Sequence, residues 1–463
     1  MDYDLLVIGS GPAGLHAAFQ AAKAGKRVAV VERKDLLGGV EVNTGTIPSK
    51  TLREAILDLT GYRERGFSGD ASRVQREITI EDLLARCREV MRHERELITR
   101  AILDNRIELL YGDASFAGPQ QLAIAAPLVG SVRPVSAEFV VIACGTRPAR
   151  PPEIPFDDQQ ILDSDDILKL DHIPRSLAVV GAGVVGCEYA SMFAALGAHV
   201  SLVDRHPSIL TFVDAEIVET LNSHLRDNTD FAFHLDETVA AIEQTSGRVH
   251  LTLGSGKRIV TEKVLYCAGR VAATDTLNLP SIGVTTDAQG HLAVDANYQT
   301  TAAGVYAAGD VIGFPSLAST SAEQGRVAAC HAFGIPVTSV PAHFPFGIYT
   351  IPEISMVGAT EQGLTAEKIP YEAGRAHYRE IARAQIIGEA TGLLKLLFHY
   401  ETREILGVHI IGEGATELIH IGQAAIALGA TLDYFLNTVF NYPTLAEGYK
   451  IAAHNGYNRM TSG

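Results

Sequence analysis

Cysteine is scarce and scattered in this chain. Five fall among 463 residues, at Cys87, Cys144, Cys187, Cys267 and Cys330, and no two stand in CxxC or CxxxxC spacing. That excludes a disulfide framework and a cysteine zinc site, and it fits buried, reduced thiols. Long apolar runs are also missing: glycine and charge interrupt each one short of the ~20 residues a membrane span needs. Basic residues are outnumbered, 38 against 54 acidic ones, for a net charge of −16 with histidine neutral. Such a balance argues against a nucleic-acid footprint or an anionic membrane surface, and otherwise serves solubility. Met1 is followed within three residues by the apolar run DLLVIG. The expectation is therefore a cytoplasmic chain without a leader. The composition, 47% hydrophobic and 20% charged, is that of a globular protein.

Two stretches repeat one design. DLLVIGSGPAGLHAAFQAAKAGKRVAVVER predicts a strand, a turn through Gly9, Gly11 and Gly14, an alanine-rich helix ending near Gly25, and a second strand closing on Glu32. SLAVVGAGVVGCEYASMFAALGAHVSLVDR predicts the same series, with Gly181, Gly183 and Gly186 and an acid at Asp204. In both, the acid follows the first glycine by 23 residues. Glycines at this spacing allow a tight turn, close approach of backbone to a pyrophosphate, and close packing of helix on strand. The acid can bind a ribose diol and repels a 2′-phosphate. After Asp204 come Arg205 and His206. Arg205 can meet the 2′-phosphate of NADP(H), so the pair suggests tolerance of either nucleotide; equally, Arg205 and His206 can be a solvated turn before Pro207.

The segment GGVEVNTGTIPSK, Gly38 to Lys50, resembles the redox motif GGxCxNxGCIPSK of the flavoprotein disulfide reductases. Glu41 stands at the first cysteine position and Thr46 at the second. The similarity continues in ACGTRPARPP (143–152), CAGRVAAT (267–274), YQTTAAGVYAAGD (298–310) and NYPTLAE (441–447). This resemblance implies an α/β fold with two Rossmann-like dinucleotide-binding domains, for FAD and NAD(P), plus a C-terminal α+β dimerisation domain. It divides the chain into an FAD domain at 1–150 and 270–340, an NAD(P) domain at 151–269, and an interface domain at 341–463. The interface domain reads as alternating sheet followed by helices around 414–429 and 445–460. Helical patterns also flank a polar break at 66–75, and the charge run 92–100 reads as a solvated helix face.

The resemblance also implies the site. FAD would be held by Gly9, Gly11, Gly14, Glu32, Gly39, Thr46, Lys50, Gly145, Thr146, Gly309 and Asp310, with Asp310 on the ribityl chain. NAD(P) would be held by Gly181, Gly183, Gly186, Asp204, Arg205 and Gly269. Lys50 and Glu188 match a family pair beside the reactive flavin nitrogen, a catalytic reading compatible with a structural salt bridge. In the family's HxHPTxxE tail motif, Tyr442 replaces the acid/base histidine while Glu447 remains. Tyrosine, with an ordinary pKa of about 10, is a poor proton shuttle at neutral pH.

Thiol–disulfide exchange needs an attacking thiolate, so dithiol chemistry is excluded at this position. Hydride transfer between nicotinamide and flavin needs neither nucleophile nor metal. In VNTGTIPSK, GVVGCEYASMF, DVIGFPSLAS, GIYTIPEIS, ARAQI, IHIGQA and FNYPTLAEGYK the chain resembles, over its whole length, the soluble, Si-specific pyridine nucleotide transhydrogenases, which exchange hydride between NADPH and NAD+ in a ping-pong cycle. The implied assembly is a homodimer or a larger homo-oligomer, with small nicotinamide nucleotides as partners and no metal. An NAD(P)H:quinone or acceptor reductase is the alternative, and a flavin-binding sensor without turnover a third reading. Glu41 departs from the subgroup, which usually keeps the first cysteine. His420, with no ligand partner at helical spacing, reads as a packing or interface residue.

Overall fold

The computed structural model describes residues 1–62, 78–126, 130–337, 343–389 and 391–461. The polar break at 66–75 and the boundary at 340/341 lie outside them. The chain divides into two compact units: Met1–Leu52, Leu84–Ala149 and Gly269–Pro341 form the first, and Arg53–Leu83, Arg150–Ala268 and Ala342–Gly463 the second.

The first unit is built on a parallel sheet ordered Glu108–Tyr111, Val28–Glu32, Tyr3–Ile8, Val132–Ile142, with Val305–Ala307 beyond. Its strands are nearly continuous apolar runs, as burial on both faces requires. Leu5 and Val7 pack under the helix Pro12–Lys23, while Leu6 and Ile8 join a core on the other face. The strand Val132–Ile142 does two jobs: its first half pairs antiparallel with Gln121–Ala125, its second parallel with Tyr3–Ile8. Pro12–Lys23 lies against Ala318–Ala332 so closely that a Cβ at Gly325 would fall 1.9 Å from the Ala13 carbonyl oxygen.

The second unit repeats the parallel plan in the order Phe231–His234, His199–Val203, Ser176–Val180, Lys263–Tyr266, Ile161–Asp163. Its helix Val184–Ala195 is buried almost throughout. The tail forms a five-stranded antiparallel sheet, Phe346–Ile348, Ile354–Gly358, Ile405–Ile411, Leu393–His399, Tyr371–His377. Helices Ala415–Ala427 and Glu447–Thr461 match the two expected there. A short helix between them, Leu432–Asn437, was not expected; it buries Leu432 and Phe435, and Phe435 stacks on Tyr449. Among the described residues no helix is long and apolar enough to cross a membrane.

Candidate active site

Each glycine triplet makes a turn that only glycine permits at its ends. Gly9 has φ 106° and Gly181 φ 107°. A Cβ at Gly14 would fall 2.0 Å from the Gly9 carbonyl oxygen, and one at Gly186 1.9 Å from that of Gly181. These positions are fixed by packing of helix on turn. The middle glycines are different. Gly11 and Gly183 have ordinary φ of −74° and −76°. A Cβ at Gly183 would meet nothing within 4 Å, and one at Gly11 only Gly39 Cα at 4.0 Å. The chain itself gives no reason for glycine there; close approach of a pyrophosphate does. Both helices also start without a side-chain cap, so their first N–H groups face outward with the positive dipole end.

The two acids are held alike. Glu32 Oε2 accepts from Ser10 N–H (3.1 Å) and Ser10 O–H (2.6 Å), and Oε1 accepts from Lys34 N–H (2.9 Å). Asp204 Oδ2 accepts from Ala182 N–H (2.6 Å), and Oδ1 from His206 N–H (2.8 Å). Each carboxylate thus braces the residue after the first glycine and the chain two residues beyond itself. Burial would raise the Asp204 carboxyl, but these N–H groups and the His206 ring outweigh it and hold it below the usual range. Arg205 is exposed.

Further groups of the first unit converge. Gly38 N–H donates to Ser10 Oγ (3.1 Å), which brings the Gly38–Lys50 segment to the first turn. Gly39 opens the helix Gly39–Asn43, and a Cβ there would fall 2.9 Å from Gly11 Cα. Thr146 O–H donates to Asp310 Oδ2 (3.2 Å) and accepts from Arg270 Nε (2.8 Å). Gly309 N–H is held by buried Gln324 Oε1 (2.9 Å). Gly145 accepts from Ala273 N–H, and Gly269 from Ala149 N–H. Asn43 Oδ1 and Thr44 Oγ1 are buried without a partner among the described residues. Orphaned acceptors and donors beside a glycine cradle fit a polar dinucleotide such as FAD.

Thr46 starts the helix Thr46–Leu59 and is exposed; Lys50, one turn on, is half-buried. Glu188 belongs to the second unit and is 3% exposed; its Oε1 accepts from Tyr349 N–H (2.8 Å). Tyr442 is 72% exposed, whereas Glu447, at the start of the last helix, buries Oε2 without a partner among the described residues. His420 is exposed and bonds Gln423. Burial, then the nearby charge of Glu94, pushes the Glu41 carboxyl up. Burial also pushes the thiols of Cys87 to about 11 and Cys144 to about 12, and raises those of Cys187 and Cys330. These four are neutral at pH 7 and poor nucleophiles.

Ser10, Gln324, Arg270 and Tyr349 were missed from sequence. Ser10 occupies a variable position inside its glycine triplet; the others act from far along the chain, with no local signal.

The pyridine nucleotide-disulphide oxidoreductase model matches residues 3–325. The chain belongs to that family. Its dimerisation-domain model matches residues 344–453. A soluble pyridine nucleotide transhydrogenase of Mycobacterium bovis is 50% identical over 459 residues, covering 99% of this chain and 98% of the relative. One of Marinomonas sp. is 46% identical, covering 99% of each chain. Among solved structures, LpdA of Mycobacterium tuberculosis superposes with TM-score 0.88 at 27% identity over 97% of this chain and 99% of that one. The HOCl-induced flavoprotein disulfide reductase RclA of Escherichia coli does so with TM-score 0.88 at 25% identity, over 98% of this chain and 99% of that one. The disulfide in the family's title has no counterpart in the Gly38–Lys50 segment, where Glu41 and Thr46 stand.

Proposed function

We propose that this chain catalyses FAD-dependent hydride transfer between NADPH and NAD+, with no redox disulfide. One observation carries this reading: two intact turn-and-acid units accompany a Gly38–Lys50 segment without either redox cysteine. Relatives at 45–50% identity over the full length carry the name transhydrogenase, which favours nucleotide exchange over an acceptor reductase.

FAD, when bound, supplies the ring that takes hydride from one nicotinamide and gives it to another. The chain binds and orients. The helix end at Gly11 meets the FAD pyrophosphate, with Gly9 and Gly14 shaping the turn. Glu32, with Oε1 taking a single N–H, accepts from the adenosine ribose. Asp310, aimed by Thr146, reaches the ribityl chain, with Gly39, Gly145 and Gly309 letting the backbone come close. Thr46 takes the place of the flavin-side sulfur without its reactivity. Lys50 supplies positive charge to the flavin ring and Glu188, buried and fixed by Tyr349 N–H, orients the nicotinamide end. Gly181, Gly183 and Gly186 cradle the nicotinamide nucleotide, Gly269 gives it room, Asp204 takes its ribose and Arg205 its 2′-phosphate.

Residues 1–150 and 270–340 are then the FAD domain, 151–269 the NAD(P) domain and 341–463 the interface domain. The interface makes a homodimer. Exposed Leu428 (84%), Val439 (90%) and Tyr442 (72%) are the apolar surface it covers. Tyr442 and Glu447 complete the site of the second copy; no thiol proton is moved, so no histidine is required. The setting is cytoplasmic, with no membrane or nucleic-acid partner.

Purified protein with FAD bound, given NADPH and a thionicotinamide analogue of NAD+, is expected to reduce the analogue. No reduction, with flavin in place, contradicts the proposal.

A further inference from the structure

The segment Tyr349–Glu353 joins two strands of the tail sheet, Phe346–Ile348 and Ile354–Gly358, and bonds in two directions. Toward the helix Val184–Ala195 it offers donors. Tyr349 N–H holds Glu188 Oε1 (2.8 Å), and Ile351 N–H reaches Ser191 Oγ (3.1 Å), whose hydroxyl donates to the Glu188 carbonyl oxygen (2.9 Å). Toward Arg53 it offers acceptors. Arg53 Nε donates to the Thr350 carbonyl oxygen (3.0 Å), and Nη2 lies 3.5 Å from Glu353 Oε2. Nη1 donates to Glu54 Oε1 (2.7 Å), so all three guanidinium nitrogens are engaged. Arg53 is 3% exposed and Glu353 6%, so the protein itself must satisfy both charges. Burial pushes the Glu353 carboxyl up, and the charge of Arg53 is the largest influence holding it down. Glu353 Oε1 is taken by Thr416 N–H and O–H, both at 3.2 Å, which leaves Oε2 to the guanidinium. All of these residues belong to the second unit. A buried ion pair adds little stability over apolar side chains of similar volume. What the rigid fork of an arginine adds is direction.

We propose that Arg53 is a positioning residue for the hydride transfer. Its guanidinium fixes the segment Tyr349–Glu353, and that segment fixes Glu188 at the nicotinamide end. Arg53 also stands on the helix Thr46–Leu59, three residues after Lys50 and on the same face, so it steadies the turn that bears Lys50. This inference rests on the reading of Lys50 and Glu188 as the charges beside the flavin and the nicotinamide.

The test separates binding from hydride transfer. FAD-loaded protein is mixed with NADPH in oxygen-free stopped flow, and flavin bleaching is followed at several NADPH concentrations. The limiting rate reports the transfer, and the half-saturating concentration reports affinity. Arg53→Lys keeps the charge but replaces the fork by a point donor that cannot serve Thr350, Glu54 and Glu353 in the same geometry. It is expected to lower the limiting rate roughly 10–100-fold, as a small misplacement of reacting groups does, with half-saturating NADPH within about twofold of wild type. Glu353→Gln leaves Oε1 open to Thr416 and removes only the charge facing Arg53. A smaller fall in the same rate is expected, and this variant carries the test if Arg53→Lys does not fold. FAD content and a cooperative thermal transition show which variants are folded. A wild-type limiting rate in either folded variant overturns the inference while the nucleotide site stands. So does a loss of affinity that matches or exceeds the loss of rate, which would make Arg53 a support of the binding site alone. If NADPH does not bleach the wild-type flavin, the functional reading has failed and the inference falls with it.

Discussion

Gly14→Ala is expected to yield protein without flavin. The added Cβ falls 2.0 Å from the Gly9 carbonyl oxygen and 3.0 Å from Val7 Cγ1. The nearer atom is backbone in a turn whose Gly9 is itself boxed in by the Ala143 carbonyl, so neither can give way. The helix Pro12–Lys23 must lift from its strand. Lifting it strains the contact with Gly325 on the facing helix and moves the N–H groups proposed to meet the pyrophosphate. Overpacking typically costs about 1–3 kcal/mol, and a backbone clash that cannot relax lies at or above the top of that range. Gly186→Ala makes the same clash, 1.9 Å from the Gly181 oxygen, in the second unit. Its expected product is different: yellow, FAD-loaded protein that neither NADPH nor NADH bleaches. Absorbance spectra and thermal unfolding of the two purified variants check both. Full flavin content in the first, or rapid bleaching in the second, would contradict the assigned division of labour.

Lys395→Met is expected to remove about 3–5 kcal/mol of stability, the cost of stranding buried Asp214 by deleting its charged partner. Lys395 is fully buried, and its ammonium contacts Asp214 (2.8 Å), Glu216 (2.9 Å) and Glu361. These three carboxylates lie close enough together to hold a metal ion, and the ammonium already stands among them as their cation. Arg375 reaches Glu216 at 2.7 Å, and buried His409 lies opposite Lys395 in register. Burial pushes His409 down, so it stays neutral and adds no charge at pH 7. Asp214 also caps the helix Ala215–Asn228, so the loss reaches the half of this unit that carries the second glycine turn.

The pH dependence has a definite sign. Burial would raise Asp214 and Glu216, but the hydrogen bonds from Lys395 and Arg375 win and hold both below the usual range. Depressed carboxyls stabilise the fold above their unfolded pKa of about 4 and lose that contribution as pH falls through the folded one. Lys395 is raised, so its share persists until strongly alkaline pH. The gap between wild type and Lys395→Met is therefore widest near neutrality and narrows in acid. Thermal unfolding should show a Tm loss of roughly 3–9 °C at pH 7. A loss independent of pH would mean that packing of the lysine stem, rather than its charge, holds the cluster.

Much of the fold could be read along the chain because it is locally encoded. Apolar strands, glycine triplets and terminal acids recur at equal spacing, and each forces its own turn. The bracing of Glu32 by Ser10 was hidden, since a residue between two glycines is free to vary until its hydroxyl is seen to find the acid. The Lys395 cluster was invisible for another reason. Residues 214, 216, 361, 375, 395 and 409 meet through the tail sheet, and no short window of sequence holds more than two of them. The helix Leu432–Asn437 escaped because six residues are too few to show a period. The site residues were legible only through resemblance: spacing marks where pyrophosphates lie, whereas Lys50, Glu188 and Tyr442 carry no signal in their own neighbourhoods.

The central claim is that hydride passes between two nucleotides by way of one flavin and no thiol. Its most direct test is the initial rate of NADPH-to-thionicotinamide-NAD+ exchange, at several fixed concentrations of each, before and after treatment with N-ethylmaleimide, whose most accessible targets are half-buried Cys144 and Cys267. The expected result is a family of parallel double-reciprocal lines at a rate close to that of untreated protein. Converging lines, which require both nucleotides bound at once, or activity lost in step with thiol modification, would contradict it.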